Sequence, residues 1–127
     1  LFSAKQPITS KSLMKTKKLL SDQELRFAIN KIILPSFEII EDKWKNIKTI
    51  DGPVHLVDIK FELGFKLLDN TLVLSDVVDN DSWRIWPGGD PSKQLDKQSF
   101  REGEDLVNVA NKYQLVTQLT DQFIVSK

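Results

Sequence analysis

Residues 57–63, with the sequence VDIKFEL, alternate strictly between apolar and charged side chains. Successive side chains of a β-strand point to opposite faces, so this pattern predicts a strand with one charged face and one apolar face. On the charged face, Asp58, Lys60 and Glu62 would stand roughly 7 Å apart. The apolar face is expected to enter a core and consists of Val57, Ile59, Phe61 and Leu63. An ordered row of acid, base and acid indicates a functional site.

A second strand is predicted over residues 72–77, after a turn with Asp69 and Asn70 at its centre. If the two strands pair as a hairpin, Asp76 comes near Glu62 or Asp58. Two converging carboxylates suit Mg²⁺, which takes oxygen ligands and fills its remaining positions with water and phosphate oxygens. The alternative is that these carboxylates simply face solvent.

The next segment, DNDSWRIWPGGD at residues 79–90, places Ser82 and Arg84 in a loop that contains two tryptophans. We expect Trp83 and Trp86 to pack against the scaffold and to fix Arg84, whose planar fork of donors suits phosphate or carboxylate. Lys97 and Arg101 follow in the segment DKQSFR. These two cations would share a face if that stretch is helical.

Two helical regions flank these segments. Ser21 and Glu24 fit a capping box, and Pro35 predicts a kink, a break or two shorter helices. The predicted core stripe of the first region is Leu25, Ile29, Ile32, Ile33, Ile40, Trp44 and Ile47. The predicted core stripe of the closing helix is Leu106, Val109, Ala110, Tyr113, Val116, Leu119 and Phe123. The chain is therefore expected to be α+β, with an antiparallel sheet around strands at residues 54–64 and 71–78.

Composition narrows the class of protein. The chain has 127 residues, zero net charge and no cysteine, which predicts one domain in a reducing, cytoplasmic setting without disulfides or thiolate metal sites. No apolar run reaches transmembrane length. Residues 1–20 carry five lysines and no acid, and we interpret them as a basic linker or arm. No aromatic residues are interleaved with these lysines for base stacking, so no nucleic-acid partner is expected.

The motifs VDIKFELG, LSDVVDNDSWRIWPGGD and DKQSFR together resemble the C-terminal half of SAICAR synthetase (phosphoribosylaminoimidazole-succinocarboxamide synthetase). The resemblance is strong over residues 37–101. It is greatest to the animal type, in which this domain is fused to an aminoimidazole ribonucleotide carboxylase domain. The resemblance implies that residues 21–127 form the C-terminal lobe of such a synthetase.

The family uses ATP to join the carboxylate of carboxyaminoimidazole ribonucleotide to the amine of L-aspartate in de novo purine synthesis. The resemblance implies that Glu62 and Asp76 bind Mg²⁺ and the nucleotide phosphates. It implies that Asp58 and Lys60 contact the carboxylate and amine of the imidazole substrate. The remaining implied substrate-binding residues are Ser82, Arg84, Lys97 and Arg101, and Ser82 and Arg84 would hold either the ribose phosphate or L-aspartate.

The N-terminal lobe with which the family cradles ATP has no counterpart in these residues. The chain is thus expected to be part of a longer enzyme, to receive that lobe from another chain, or to be a truncated relative. Three hypotheses follow: a ligase portion, a noncatalytic relative that binds ligand or forms oligomers, and an unrelated module whose basic arm binds an anionic partner. A surface that lacks its lobe would expose apolar area, so a homo-oligomer is also expected.

Overall fold

The computed structural model describes residues 2–3, 6–7 and 20–125. Its helices are α1 (Asp22–Phe27), α2 (Leu34–Asn46), α3 (Gln98–Arg101) and α4 (Leu106–Val125), with a π-helical segment at Ala28–Ile33 and a 3₁₀ turn at Pro91–Lys93. Its strands are β1 (Phe2–Ser3), β2 (Gln6–Pro7), β3 (Lys48–Thr49), β4 (Gly52–Ile59), β5 (Leu63–Phe65), β6 (Leu72–Leu74) and β7 (Trp83–Pro87). The predicted assignment of residues 1–20 as a linker lies largely outside the described residues.

The first helical region begins at the predicted capping box. The Ser21 hydroxyl accepts from the Glu24 N–H at 3.1 Å, and the Glu24 carboxylate accepts from the Ser21 N–H at 2.7 Å. The disruption expected at Pro35 is present as the π-helical segment, in which the Leu34 N–H reaches back five residues to the Ile29 carbonyl. Proline lacks an N–H and its ring clashes with the carbonyl four residues earlier, so a wider turn just before it relieves that clash.

The strands form antiparallel sheets, which confirms the α+β class, but the predicted hairpin forms only next to its turn, through β5 and β6. Strand β4 lies between β3 and β7, whereas β5 pairs with β6 in a separate two-stranded sheet. The charged segment therefore does not run on as one strand from residue 54 to residue 64. It leaves the first sheet after Ile59 and enters the second at Leu63.

A β-bulge at Val57 explains why simple alternation fails. Leu56 pairs with Ile85, and the next pair is Asp58 with Arg84, so two residues of β4 advance against one of β7. Val54 and Leu56 are buried before the bulge, whereas Val57 is 36% exposed. The prediction that Val57 enters the core is therefore wrong, because Val57 alternates with the buried Leu56 and faces outward. The bulge then places Asp58 on the exposed face as well and turns Ile59 towards the core.

The core lies between the β3-β4-β7 sheet and helices α2 and α4. Trp44 packs edge-on against Trp83 at 5.4 Å and against Phe123 at 4.8 Å between ring centroids. The buried residues of this cluster are Trp44, Ile47, Val54, Leu56, Trp83, Ile85, Leu95, Val116 and Leu119. Only part of each predicted helical stripe is buried: Leu106 at the start of α4 is 67% exposed. Within the described part of the chain, no helix is both long and apolar enough to cross a membrane.

Candidate functional site

The bulge in β4 sets Asp58, rather than Val57, opposite Arg84. The Arg84 guanidinium donates through Nε to Asp58 Oδ2 at 2.8 Å and also through Nη2 to the same oxygen. This hydrogen bond, together with the charge of Asp58, raises the pKa of Arg84. Both side chains are about half exposed, at 47% for Arg84 and 51% for Asp58, so an anionic or amine-bearing ligand can reach them.

Lys60 and Glu62 continue this surface beyond the end of β4. The Lys60 N–H donates to the Ser82 carbonyl at 2.7 Å, which keeps the segment beside the loop that leads into β7. The Lys60 ammonium donates to Glu62 Oε1 at 2.5 Å. This hydrogen bond is the main cause of the raised pKa of Lys60, to which the charges of Glu62, Asp76 and Asp79 also contribute.

Asp76 joins the same surface from the other sheet. The Ser75 N–H donates to the Glu62 carbonyl at 2.9 Å, one step beyond the β5–β6 pairs, and Asp76 follows directly. Asp76 and Glu62 both act on the ammonium of Lys60, so the structure brings the two predicted metal-binding carboxylates to one locality. We call Asp58, Lys60, Glu62, Asp76 and Arg84 the charged face.

The carboxylates of the charged face suit Mg²⁺, which keeps water and phosphate ligands, better than a metal ion whose ligands all come from protein side chains. Over residues 20–125, no group of three or more histidine, aspartate or glutamate side chains is placed to hold a metal ion. Mg²⁺ commonly takes only one or two carboxylates, and its other positions are filled by water and phosphate oxygens. Glu62 and Asp76 supply two such carboxylates.

Ser82 occupies a different kind of position from the charged face. Its side chain is buried, and its hydroxyl accepts from the Asp79 N–H at 3.2 Å and lies 3.3 Å from both the Val77 carbonyl and Asp79 Oδ1. These contacts shape the loop of residues 79–82 just before Arg84. The substrate-binding role of Ser82 stays a prediction.

Lys97 lies beside this loop, and Arg101 follows it one helical turn later. The Lys97 ammonium is 3.9 Å from Asp81 Oδ2. The stretch is helical, which is the condition for the two cations to share a face: α3 spans Gln98–Arg101 and the Arg101 N–H donates to the Lys97 carbonyl at 3.3 Å. Their contact with substrate stays a prediction.

Four polar residues were missed as part of this region: Asn80, Asp81, Asp96 and Tyr113. Asn80 accepts from the Trp83 indole N–H at 2.9 Å and donates to the Leu95 carbonyl at 3.1 Å. The Asp96 carboxylate, 1% exposed, accepts from the Ile85 N–H at 3.1 Å. Both residues tie the Arg84 strand to the segment that carries Lys97. The buried contacts join residues 11 or 15 apart, which local sequence spacing does not reveal.

A groove of about 560 Å³ adjoins this loop, between helices α2 and α4. Trp83 and the acidic side chains of Asp79 and Asp81, from the loop of residues 79–82, line one end of this groove. The groove is lined by Ile40, Val78, Asp79, Asn80, Asp81, Trp83, Tyr113, Val116, Thr117, Thr120 and Phe123. Tyr113 donates to Asp81 Oδ1 at 2.8 Å at this end.

Comparison with known proteins identifies the family. The sequence model of the SAICAR synthetase family matches residues 5–120. The chain belongs to the SAICAR synthetase family. It is 42% identical over 92 residues to the phosphoribosylaminoimidazole-succinocarboxamide synthase of Herpetosiphon aurantiacus, covering 68% of this chain and 35% of that protein. It is 48% identical over 66 residues to the human bifunctional phosphoribosylaminoimidazole carboxylase/phosphoribosylaminoimidazole succinocarboxamide synthetase, covering 52% of this chain and 14% of that protein.

Solved structures agree with this assignment. A phosphoribosylaminoimidazole-succinocarboxamide synthase from Ehrlichia chaffeensis superposes with a TM-score of 0.74 at 28% identity, covering 91% of this chain and 46% of that one. A type-2 SAICAR synthetase in complex with ADP superposes with a TM-score of 0.71 at 25% identity, covering 89% of this chain and 44% of that one. This SAICAR synthetase family chain thus spans about a third of the first curated relative and under half of these structures.

Proposed function

We propose that this chain forms the C-terminal lobe of an ATP-dependent carbon–nitrogen ligase that joins carboxyaminoimidazole ribonucleotide to L-aspartate in purine biosynthesis. The observation that carries the proposal is the charged face, which holds two acid–base pairs and a third carboxylate on one accessible surface. Family membership supports the assignment of ligase chemistry to these residues. An unrelated module that acts through its basic arm is no longer a candidate, because the family match extends over residues 5–120.

The reaction requires groups of both charges. A carboxylate is a poor electrophile, so ATP phosphorylates it before the aspartate amine attacks and inorganic phosphate leaves. Lys60 would hold the imidazole carboxylate by charge, and Asp58 would accept from the neighbouring amine. Arg84 would bind the ribose phosphate or the carboxylates of L-aspartate through its planar fork. Because Asp58 already orients Arg84, little side-chain ordering remains when the ligand arrives.

Lys97 and Arg101 would add positive charge around the anionic substrates, and Ser82 would support the loop that carries Arg84. Glu62 and Asp76 would hold Mg²⁺ together with the nucleotide phosphates. When Mg²⁺ is bound, it would neutralise the negative charge of the phosphates. The ADP complex of the related type-2 enzyme supports a nucleotide site in this family.

Partners and location belong to the same proposal. An N-terminal lobe would complete the ATP cleft, either in a longer chain or as a separate one, and a fused carboxylase domain would resemble the human relative. We further propose a homo-oligomer in the cytoplasm. The absence of cysteine in the sequence supports a reducing compartment.

The test is ADP release by the purified chain, alone and with the N-terminal lobe of a relative added in trans, in the presence of ATP, Mg²⁺, carboxyaminoimidazole ribonucleotide and L-aspartate. We expect release that requires both substrates and is lost in Glu62→Gln. The matched control is Glu38→Gln, which neutralises an exposed carboxylate on α2 and should keep full activity. Equal activity of the two variants would contradict the placement of the metal and nucleotide site at Glu62.

A further inference from the structure

Tyr113 connects the closing helix to the candidate site through one hydrogen bond. Its hydroxyl donates to Asp81 Oδ1 at 2.8 Å, across 32 positions of sequence. The second oxygen of the same carboxylate, Oδ2, faces the Lys97 ammonium at 3.9 Å. Asp81 is thus shared between a phenol on α4 and a cation that is predicted to bind substrate.

The distance between Asp81 and Lys97 affects whether the Lys97 ammonium can bind an anionic ligand. At 3.9 Å the ammonium lies beyond hydrogen-bond length from the carboxylate, so its donors remain available to an anion. The Asp81 main chain is fixed because its N–H donates to Asp79 Oδ1 at 2.9 Å. Rotation of the Asp81 side chain would close the gap to Lys97 from the side of the carboxylate, and the Tyr113 hydroxyl opposes that rotation.

The state of the phenol supports this arrangement. Burial raises the pKa of Tyr113 to about 12, and the hydrogen bond to Asp81 is the second cause of this shift. The charges of Asp79, Asp81 and Asp96 add to the shift. Tyr113 thus stays protonated and acts as a donor throughout the neutral range.

We infer that Tyr113 is a positioning residue for the ligase site: by holding Asp81, its hydroxyl keeps the Lys97 ammonium available to the anionic imidazole ribonucleotide. This inference rests on the proposed function and adds a residue of the closing helix to it. Without the hydroxyl, Asp81 turns towards Lys97, and the closer ion pair competes with the ribonucleotide for the same ammonium. The nucleotide carboxylates Glu62 and Asp76 are not part of this link.

The experiment is calorimetric binding of carboxyaminoimidazole ribonucleotide to the chain and four variants. Tyr113→Phe should weaken binding up to about fivefold, the competition expected from one exposed ion pair. Thr117→Val is the matched control, since Thr117 lies one turn along α4 in the same groove and its hydroxyl donates to the Tyr113 carbonyl. We expect Thr117→Val to bind like the wild type.

The decisive readout is the combination with Asp81→Asn. A neutral amide no longer attracts Lys97, so Tyr113→Phe should have no further effect in the Asp81→Asn background. A fold defect would instead weaken binding in both backgrounds. Because Tyr113 is the single tyrosine of the sequence, its phenolate absorbance also reports the link directly, and Asp81→Asn should lower the pKa of Tyr113.

The outcomes separate the two proposals. If the wild-type chain binds the ribonucleotide and Tyr113→Phe binds it equally well, the positioning role is wrong and the proposed function stands. If the wild-type chain, with the N-terminal lobe of a relative added in trans, binds neither the ribonucleotide nor Mg²⁺-ADP, the proposed function is contradicted and the positioning role falls with it. An equal loss on Tyr113→Phe in both Asp81 backgrounds likewise overturns the positioning role.

Discussion

Three of the predicted substrate-binding cations lie beside an acidic side chain. Arg84 lies beside Asp58, Lys60 beside Glu62, and Lys97 beside Asp81. These pairs are exposed, and exposed ion pairs contribute only about 0–1 kcal/mol to stability. Their contribution to the fold is therefore small. The pairs at Arg84 and Lys60 provide orientation, since Asp58 and Glu62 each hold a flexible cation at a defined place on the surface.

This distinction can be tested at Asp58. We expect Asp58→Asn to change the free energy of unfolding by less than about 1 kcal/mol, because the pair with Arg84 is exposed. The same variant should weaken binding of carboxyaminoimidazole ribonucleotide about tenfold or more, since a charged acceptor for the substrate amine is lost. Denaturant unfolding and calorimetry measure the two effects. Asp42→Asn, an exposed acid on α2, serves as the control, and equal affinities of the two variants would refute the role of Asp58.

Asn80, in contrast to Asp58, should contribute mainly to the stability of the fold. Its amide is buried and links the Trp83 indole to the Leu95 carbonyl. Asn80→Ala leaves both groups without that partner inside the protein, which should cost about 1–3 kcal/mol of unfolding free energy. Asn108→Ala, on the exposed surface of α4, should change stability by less than about 0.5 kcal/mol. Urea denaturation of both variants checks this, and similar midpoints would argue against a structural role for Asn80.

At the scale of elements, the β-bulge in β4 decides the geometry of the site. It brings Asp58 opposite Arg84 on the exposed face, whereas uninterrupted pairing would have placed Val57 there. The alternating pattern correctly indicated that Asp58, Lys60 and Glu62 are all exposed. It could not reveal the bulge, because a bulge depends on how a strand matches its partner and not on the strand's own sequence.

The bulge makes a prediction that separates two valines of one strand. Val54→Thr should lose about 1–3 kcal/mol of unfolding free energy, since Val54 is fully buried and the new hydroxyl would enter the core. Val57→Thr should stay within about 0.5 kcal/mol of the wild type, because Val57 lies on the exposed side of the bulge. Thermal or denaturant unfolding measures both. A larger loss at Val57 than at Val54 would mean that the simple alternation is correct after all.

In other elements too, contacts between residues close in sequence were predictable, and contacts between distant residues were not. The capping box at Ser21 and the helical turn before Arg101 were predictable, because their partners lie three or four residues away. The pairing of β4 with β7 was not, since the sequence offered β6 as the nearer partner. Asp76 still approaches Glu62 as predicted, because the chain bridges the two sheets at the Ser75–Glu62 hydrogen bond.

At the scale of the whole molecule, the chain is a compact set of helices and sheets that carries one accessible charged face. It corresponds to less than half the length of its solved relatives. Asp58 belongs to β4, whereas Glu62 and Asp76 flank the β5–β6 sheet, so the arrangement of the whole chain, and no single motif, forms the charged face. The homo-oligomer and the additional lobe remain predictions about its surroundings.

The central claim is that the charged face is the ligand site of this lobe, and the most direct test is to locate binding residue by residue. Two-dimensional NMR of the labelled chain would follow amide chemical shifts during titration with carboxyaminoimidazole ribonucleotide and then with Mg²⁺-ADP. We predict that the ribonucleotide shifts concentrate on Asp58, Lys60 and Arg84, and that the nucleotide shifts concentrate on Glu62 and Asp76. Shifts that concentrate instead on the outer surface of α2, or no shifts at saturating ligand, would contradict the account.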